Sequence, residues 1–299
     1  WRWSRRKPLV AGLVAILAVS LGLAGWFAWQ AHLSLRQVER EQMQRAIDTA
    51  LAAAWGGDRA AAEQTIKDVV RHGAANEWIP MLRGQIALYS LQSDEALRQF
   101  EQAITLAPRS VAAKAMLATA YLYSGQFEGY FDTLGRLGEL SPETPEDCLF
   151  LGAALAAGSA DTSKAVSLLE YAKQKRPSGI TFAQLALAES FHAADTGSWP
   201  VAQKALEHCE WGVEVLGVGH PGGLAVRLNV CNFAMRLCPD EERANMRHRA
   251  AAAARALEST ASPIECMVRA WYFQIIGDQA AELLLTACVA LLAFLRYNW

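Results

Sequence analysis

The same set of small, bulky and turn-forming residues returns every 34 positions between about residues 43 and 179. In the unit that starts at Glu77, Gly84 and Ala87 stand at offsets 8 and 11, Ala96, Phe100 and Ala103 at 20, 24 and 27, and Pro108 at 32. One period later come Ala118, Tyr121, Gly125, Leu134, Leu137 and Pro142. One period earlier come Ala50, Ala53, Gly57, Ala62, Ile66 and Val69. A fourth unit near Pro145 carries Leu151, Gly152, Leu155, Ala165, Leu169, Ala172 and Pro177, displaced by one inserted residue. Ala, Leu, Glu, Gln and Arg dominate, β-branched runs are scarce, and Gly or Pro falls about once per helix. The chain is therefore expected to be all-α and repetitive.

The offsets have a physical reading. Small residues at 8 and 20 let two helices of a hairpin approach closely. Larger residues at 11 and 24 fill the space between successive hairpins. Pro at 32 ends the second helix and sets the direction of the next unit. A single hairpin cannot bury its apolar face, whereas a stack of them can. With these residues at these offsets the segment resembles the tetratricopeptide repeat, which implies an α-solenoid and a protein-interaction role. Four units are expected near 43–76, 77–110, 111–144 and 145–179, within a repeat region of 32–179. Residues 180–299 are expected to hold divergent repeats of the same kind. There, Leu187, Ala188 and Phe191 suggest a first helix, Trp199-Pro200 a loop, and 201–216 a second helix. GVGHPGG, residues 217–223, reads as a break; helices over 224–238 and 240–258 follow. Ala280, Leu284 and Ala287 repeat the 20-24-27 spacing. The uncharged stretch Leu283 to Leu295 is too short to span a bilayer and reads as a core helix.

The N-terminal region follows a different pattern. Leu9 to Ala31 holds no charged residue. At about 1.5 Å per residue it makes a helix of about 34 Å, enough for a hydrocarbon core of about 30 Å. Trp26 and Trp29 stand at its far end, where interfacial aromatics belong. The apolar core is too long for a cleaved signal and its end too bulky. A basic juxtamembrane segment (1–8) and a transmembrane helix (9–31) are therefore expected, with the lipid bilayer as partner through Leu9–Ala31. Arg2, Arg5, Arg6 and Lys7 outweigh the diluted Arg36, Arg40 and Arg45 beyond the span. The positive-inside bias places the N-terminus in the cytoplasm and the repeats outside, as in a single-pass inner-membrane protein. The chain begins at Trp1 rather than Met and stops at Trp299 without a polar capping helix, so both ends read as junctions.

No catalytic signature is present. Phosphate-binding loops, dinucleotide fingerprints, kinase catalytic motifs, nucleophile elbows and H-E-x-x-H are all absent from the sequence. The histidines lack metal-ligand spacing, so no metal or cofactor is expected. A net charge of −2 gives no reason to invoke nucleic acid. Cys148, Cys209, Cys231, Cys238, Cys266 and Cys288 read as buried helix residues. Glu241-Glu242 suit a helix start, and Arg243, Arg247, Arg249 and Arg255 read as a solvated face.

What remains is a binding surface. The tetratricopeptide resemblance implies a concave groove lined at offsets 2, 5, 9, 12 and 13. These positions hold Trp55, Trp78, Met81, Gln85, Leu88, Tyr89, Thr119, Leu122 and Tyr123. The expected partner is a protein or peptide. The family's clamp for a C-terminal carboxylate uses Asn at offsets 6 and 9. Here those positions hold Asp48 and Leu51, Leu82 and Gln85, Met116 and Thr119, and Phe150 and Ala153, so that clamp is absent.

A second resemblance rests on RWSRRKPLVAGL, residues 2–13. It is similar to the juxtamembrane junction of some bacterial transmembrane serine/threonine protein kinases, in which a cytoplasmic kinase domain precedes one span and external repeats. The resemblance implies that this chain is the non-catalytic C-terminal part of such a kinase. Signalling through one helix would then require a change in dimerisation, which makes a homodimer an expected state. The rival expectation is a stand-alone inner-membrane scaffold or assembly factor.

Overall fold

In a computed structural model the described residues are 8–71, 76–138, 141–158 and 160–257, with the side chains of 8–16, 18 and 40 left aside. Among them there are twelve helices and no strand. They are α1 (Pro8–Trp55), α2 (Arg59–Arg71), α3 (Trp78–Tyr89), α4 (Ser93–Leu106), α5 (Val111–Tyr123), α6 (Phe127–Leu137), α7 (Pro145–Ala157), α8 (Thr162–Lys175), α9 (Gly179–Thr196), α10 (Trp199–Leu216), α11 (Pro221–Leu237) and α12 (Asp240–Ala256). The chain divides into two compact units, Trp1–Ala46 and Ile47–Trp299.

In the first unit, α1 passes through the expected span without a break. Leu17, Val19, Leu21, Leu23, Trp26, Phe27 and Trp29 are all exposed. The first part of the expected span lies outside the described side chains. Among the described residues no helix is long and apolar enough to cross a membrane, so the anchor reading rests on the sequence alone. The basic cluster at residues 1–7 and everything expected of 258–299, Cys266 and Cys288 included, lie outside the described residues.

The second unit is a stack of helical hairpins. Helices α3 and α4, α5 and α6, α7 and α8, α9 and α10, and α11 and α12 pair in sequence order, and each pair packs on the next. Residues 47–55 of α1 precede α2 in the same alternation. The repeat offsets mark the packed positions. A Cβ on Gly84 would lie 2.5 Å from the Phe100 ring, and one on Gly152 would lie 2.7 Å from Cγ of Leu169. Phe100, Ala96 and Ala103 are fully buried, as are Ala165 and Leu169. The equivalent Ala62, Ile66 and Val69 of α2 are buried as well.

Local signals start several of the helices. Ser110 and Ser178 accept from the backbone N–H of Ala113 and Thr181 at 3.1 and 3.2 Å. Thr144 and Asp147 form a reciprocal capping box, with Pro145 in the first turn. Asp147 also accepts from the N–H of Ala112 at 2.9 Å. One carboxylate thus serves orphan donors at the starts of both α7 and α5.

Two sequence expectations are corrected. Trp199-Pro200 does not form a loop but opens α10, with Pro within the first two positions, where its missing N–H costs nothing. GVGHPGG is not wholly a break: α11 begins at Pro221, capped by His220, and takes Gly222 and Gly223 into the helix. Gly222 serves close approach rather than turning, since a Cβ there would lie 2.8 Å from the Trp55 ring. The third unit also departs from the pattern. Tyr130 occupies offset 20, where the other units have Ala, and it is fully buried. Its hydroxyl donates to the Ala154 carbonyl at 2.9 Å, and a Cβ on neighbouring Gly158 would collide with it. Burial pushes the Tyr130 pKa up to about 12.

The Gly84–Phe100 contact yields a sign test. Alanine is the better helix former by about 1 kcal/mol, yet overpacking a core costs about 1–3 kcal/mol. Gly84→Ala is expected to lower stability by about 1–2 kcal/mol in urea unfolding. An increase would show that Phe100 does not hold the hairpin at that spacing.

Candidate functional site

Helices α1, α3, α5, α7, α9 and α11 line one pocket. Leu51 and Trp55 come from α1, Gln85, Leu88 and Tyr89 from α3, and Met116, Thr119 and Tyr123 from α5. Helix α7 adds Leu149, Phe150, Ala153 and Ala157, and α9 adds Gln184 at the same place. The space continues past Leu187 and Phe191 of α9 to Gly222, Ala225, Val226 and Asn229 of α11. This larger part has a volume of about 220 Å³, and the part nearer Phe150 about 70 Å³. They share Trp55, Tyr89, Tyr123, Ala153, Ala157 and Gln184.

Of the residues expected in the groove, Trp55, Gln85, Leu88, Tyr89, Thr119 and Tyr123 line this pocket. Met81 does not: it is 1% exposed, inside the core. Trp78 stands outside the lining, with its ring 6.4 Å from that of Phe150. Leu122 is also outside it. The sequence reading missed Gln184, Phe191 and Asn229, because the 34-residue register is lost beyond Pro177. Phe150 and Ala153 were legible at offsets 6 and 9 of the fourth unit, but only as the lack of a carboxylate clamp.

Two contacts join helices that are far apart in sequence. His220 donates from Nε2 to the Ala52 carbonyl at 2.9 Å, and its Nδ1 accepts from the Gly223 N–H at 3.3 Å. The ring therefore ties α1 to α11 and caps α11 at once. Trp55 packs at 6.4 Å from His220 and 6.5 Å from Tyr89. Arg176, after α8, donates to Asp48 of α1 at 2.7 Å and to Glu146 of α7. Burial raises the Asp48 pKa despite the opposing pull of Arg176.

Among the described residues no Asp, Glu, Lys, Arg or His lines the pocket. Burial raises the Tyr89 pKa, with a smaller push from neighbouring Tyr123, and burial raises Tyr123 likewise. Tyr123 is 47% exposed all the same.

A separate cluster lies between α8, α9 and α10. Glu189 is 1% exposed and accepts from Nδ1 of His208 at 2.7 Å, while Lys204 stands 3.1 Å from its other oxygen. Lys204 and Lys173 both reach Glu170 at 2.6 Å, and Lys173 lies 3.2 Å from Nε2 of His208. Ligand-capable atoms of Glu170, Glu189 and His208 fall within 4.8 Å of one another. Two ammonium groups already occupy the directions a cation would need, so the ring reads as a closed ion-pair network joining hairpins. These partners come from three helices, which sequence spacing could not bring together. On α12, Arg249 is a correction to the solvated stripe. It shares Glu210 with Arg227, whereas Arg243, Arg247 and Arg255 are exposed. Cys148, Cys209, Cys231 and Cys238 are buried free thiols, and burial pushes Cys231 up to about 11.

No family model matches this chain, and no curated protein does. Among solved structures, a tetratricopeptide repeat protein from Parabacteroides merdae ATCC 43184 is 14% identical. That comparison covers 84% of this chain and 93% of the other, with a TM-score of 0.42. PilW, a type IV pilus biogenesis factor, is 19% identical over 75% of this chain and 93% of its own, with a TM-score of 0.37. Yeast Tom70 is 15% identical over 69% of this chain and 45% of its own, with a TM-score of 0.35.

The His220 contact makes closure pH-dependent. Burial lowers the native His220 pKa more than the bond to Ala52 raises it. The unfolded value is about 6.5. Above about 6.5 both states are neutral and the full stabilisation is present. Below it the unfolded chain binds the proton first, so stability falls until the lower native value is reached. Urea unfolding is expected to show a larger loss between about pH 6.5 and 5.5 for the wild type than for His220→Gln. Equal losses would remove His220 from the closure.

Proposed function

We propose that this chain is a membrane-anchored recognition module, for protein interaction or sensing, whose partner engages the face where the first helices converge. The observation that carries the reading is that convergence: aromatic residues from separate hairpins, Trp55, Tyr89, Tyr123, Phe150 and Phe191, meet at one pocket. Large aromatic side chains at a recessed surface are the usual energetic anchors of recognition. Leu9–Ala31 supplies the anchor in this proposal, supported by its uncharged sequence, its basic flank and the exposed apolar side chains of α1. The N-terminus is then cytoplasmic and the repeats extracytoplasmic.

The similarity of residues 2–13 to the junction of bacterial transmembrane kinases favours a place as the non-catalytic part of a serine/threonine kinase, with ligand-dependent dimerisation as the signal. The alternative is an inner-membrane scaffold without a kinase. Kinase motifs in the reading frame upstream of Trp1 decide for the first, and a start codon close by decides for the second.

Two experiments test the module itself. A photo-cross-linking residue at Tyr123 in the membrane-embedded chain is expected to trap a discrete partner. Trp55→Ala should weaken that capture by about tenfold, as loss of an anchor worth more than about 1 kcal/mol does. Trapping that is absent, or indifferent to Trp55→Ala, would reject the concave face as the partner site. Alkaline extraction is expected to leave the intact chain with the membrane and to release a variant lacking residues 9–31. Release of both would reject the anchor.

A further inference from the structure

The pocket carries a more specific message than a groove for any peptide. Its lining holds no charged group. A ligand bringing a charge inside would be desolvated with no partner, which is strongly unfavourable. The lining does hold neutral polar groups. Tyr89, Tyr123 and Gln184 line both parts, Gln85 the smaller and Asn229 the larger. No side-chain hydrogen bond joins any of the five to a described residue. Gln85 is only 6% exposed. The other four keep more accessible surface, so water can serve these groups and a ligand can take its place. Side-chain amides offer donors and an acceptor together.

Size narrows the choice. About 220 Å³ lies below the roughly 300–1,000 Å³ of pockets for drug-sized ligands. A helix about 10 Å across does not fit inside it. Ala153, Ala157, Gly222 and Ala225 leave the room, while Trp55, Tyr89 and Phe191 supply flat apolar walls.

We infer that this pocket binds a small uncharged molecule with an apolar body the size of one aromatic ring and a neutral amide or similar hydrogen-bonding group. The inference rests on reading the convergent face as the recognition site, and it makes the module a sensor of a small molecule in addition to a platform for a protein. Ring stacking against Trp55 or Phe191 holds the body. Gln184 and Asn229 meet the polar end.

The test uses matched probes on the purified full chain: phenylacetamide, and phenylacetate, which has the same ring but a charged end. Calorimetry is expected to show phenylacetamide binding at least about tenfold more tightly than phenylacetate, a difference of about 1.4 kcal/mol. Ala153→Phe, which fills the recess, should abolish binding with the helical circular dichroism unchanged. The double variant Gln184→Leu/Asn229→Leu should weaken phenylacetamide by at least about fivefold and narrow its advantage over phenylacetate. It decides the matter should Ala153→Phe fail to fold. Binding by neither probe, equal binding of the two, or a double variant that binds like the wild type overturns the inference. A partner trapped at Tyr123 alongside such a failure would leave the recognition face standing and remove only the small-molecule ligand.

Discussion

The spacing within a hairpin is set where a small residue on one helix meets a bulky one on the other, and the packing of the second unit depends on it. Gly84 accepts the Phe100 ring and Gly152 accepts Leu169. In the fifth hairpin the backbone itself is close, with the Cβ position of Gly212 at 3.0 Å from the Ala183 nitrogen. Close approach of this kind sets how far one unit rotates from the last. Small rotations add along the stack. Their sum brings Ala52 to His220 across 168 positions of sequence, and the pocket exists because that sum closes.

This explains what could be read in advance. The pairs that set hairpin spacing lie within one unit, so a period of 34 residues displays them directly. Phe100 and Leu169 were legible for that reason, as were the groove positions Trp55, Gln85, Tyr89, Thr119 and Tyr123. Contacts created by accumulated rotation have no period. Nothing local announces that His220 meets Ala52, or that Arg176 meets Asp48 and Glu146. HPGG looked like a break because Gly and Pro usually punctuate helices. Here Pro221 opens a helix, and Gly222 answers to a tryptophan far away in sequence. Tyr130 was illegible for a related reason: its room comes from Gly158 in the next hairpin, and its hydroxyl is satisfied by Ala154 there.

The placement of charge separates the structural parts from the recognition part. Between α8, α9 and α10 two carboxylates, two lysines and a histidine satisfy one another in a ring. Glu210 likewise holds Arg227 and Arg249. Such pairs contribute little net stability, but they fix which helix lies against which. The pocket has the opposite character: among the described residues its polar lining is neutral and carries no charge. A site built for packing alone would have been filled with apolar side chains or paired amides, as cores are.

Trp55 belongs to both the closure and the pocket. One part of it packs on Gly222 and His220, another faces Tyr89 and the open space. Whatever occupies the pocket therefore acts on the same ring that seals the stack. A ligand present at 100 times its dissociation constant, bound only to the closed form, stabilises that form by about 2.7 kcal/mol. That exceeds the roughly 0.5–1.5 kcal/mol of a single hydrogen bond such as the one from His220 to Ala52. Occupancy can therefore outweigh the latch, and by reciprocity anything that loosens the latch weakens the ligand by the same factor. Coupling of this kind needs no path through the protein, because both events meet on one indole ring.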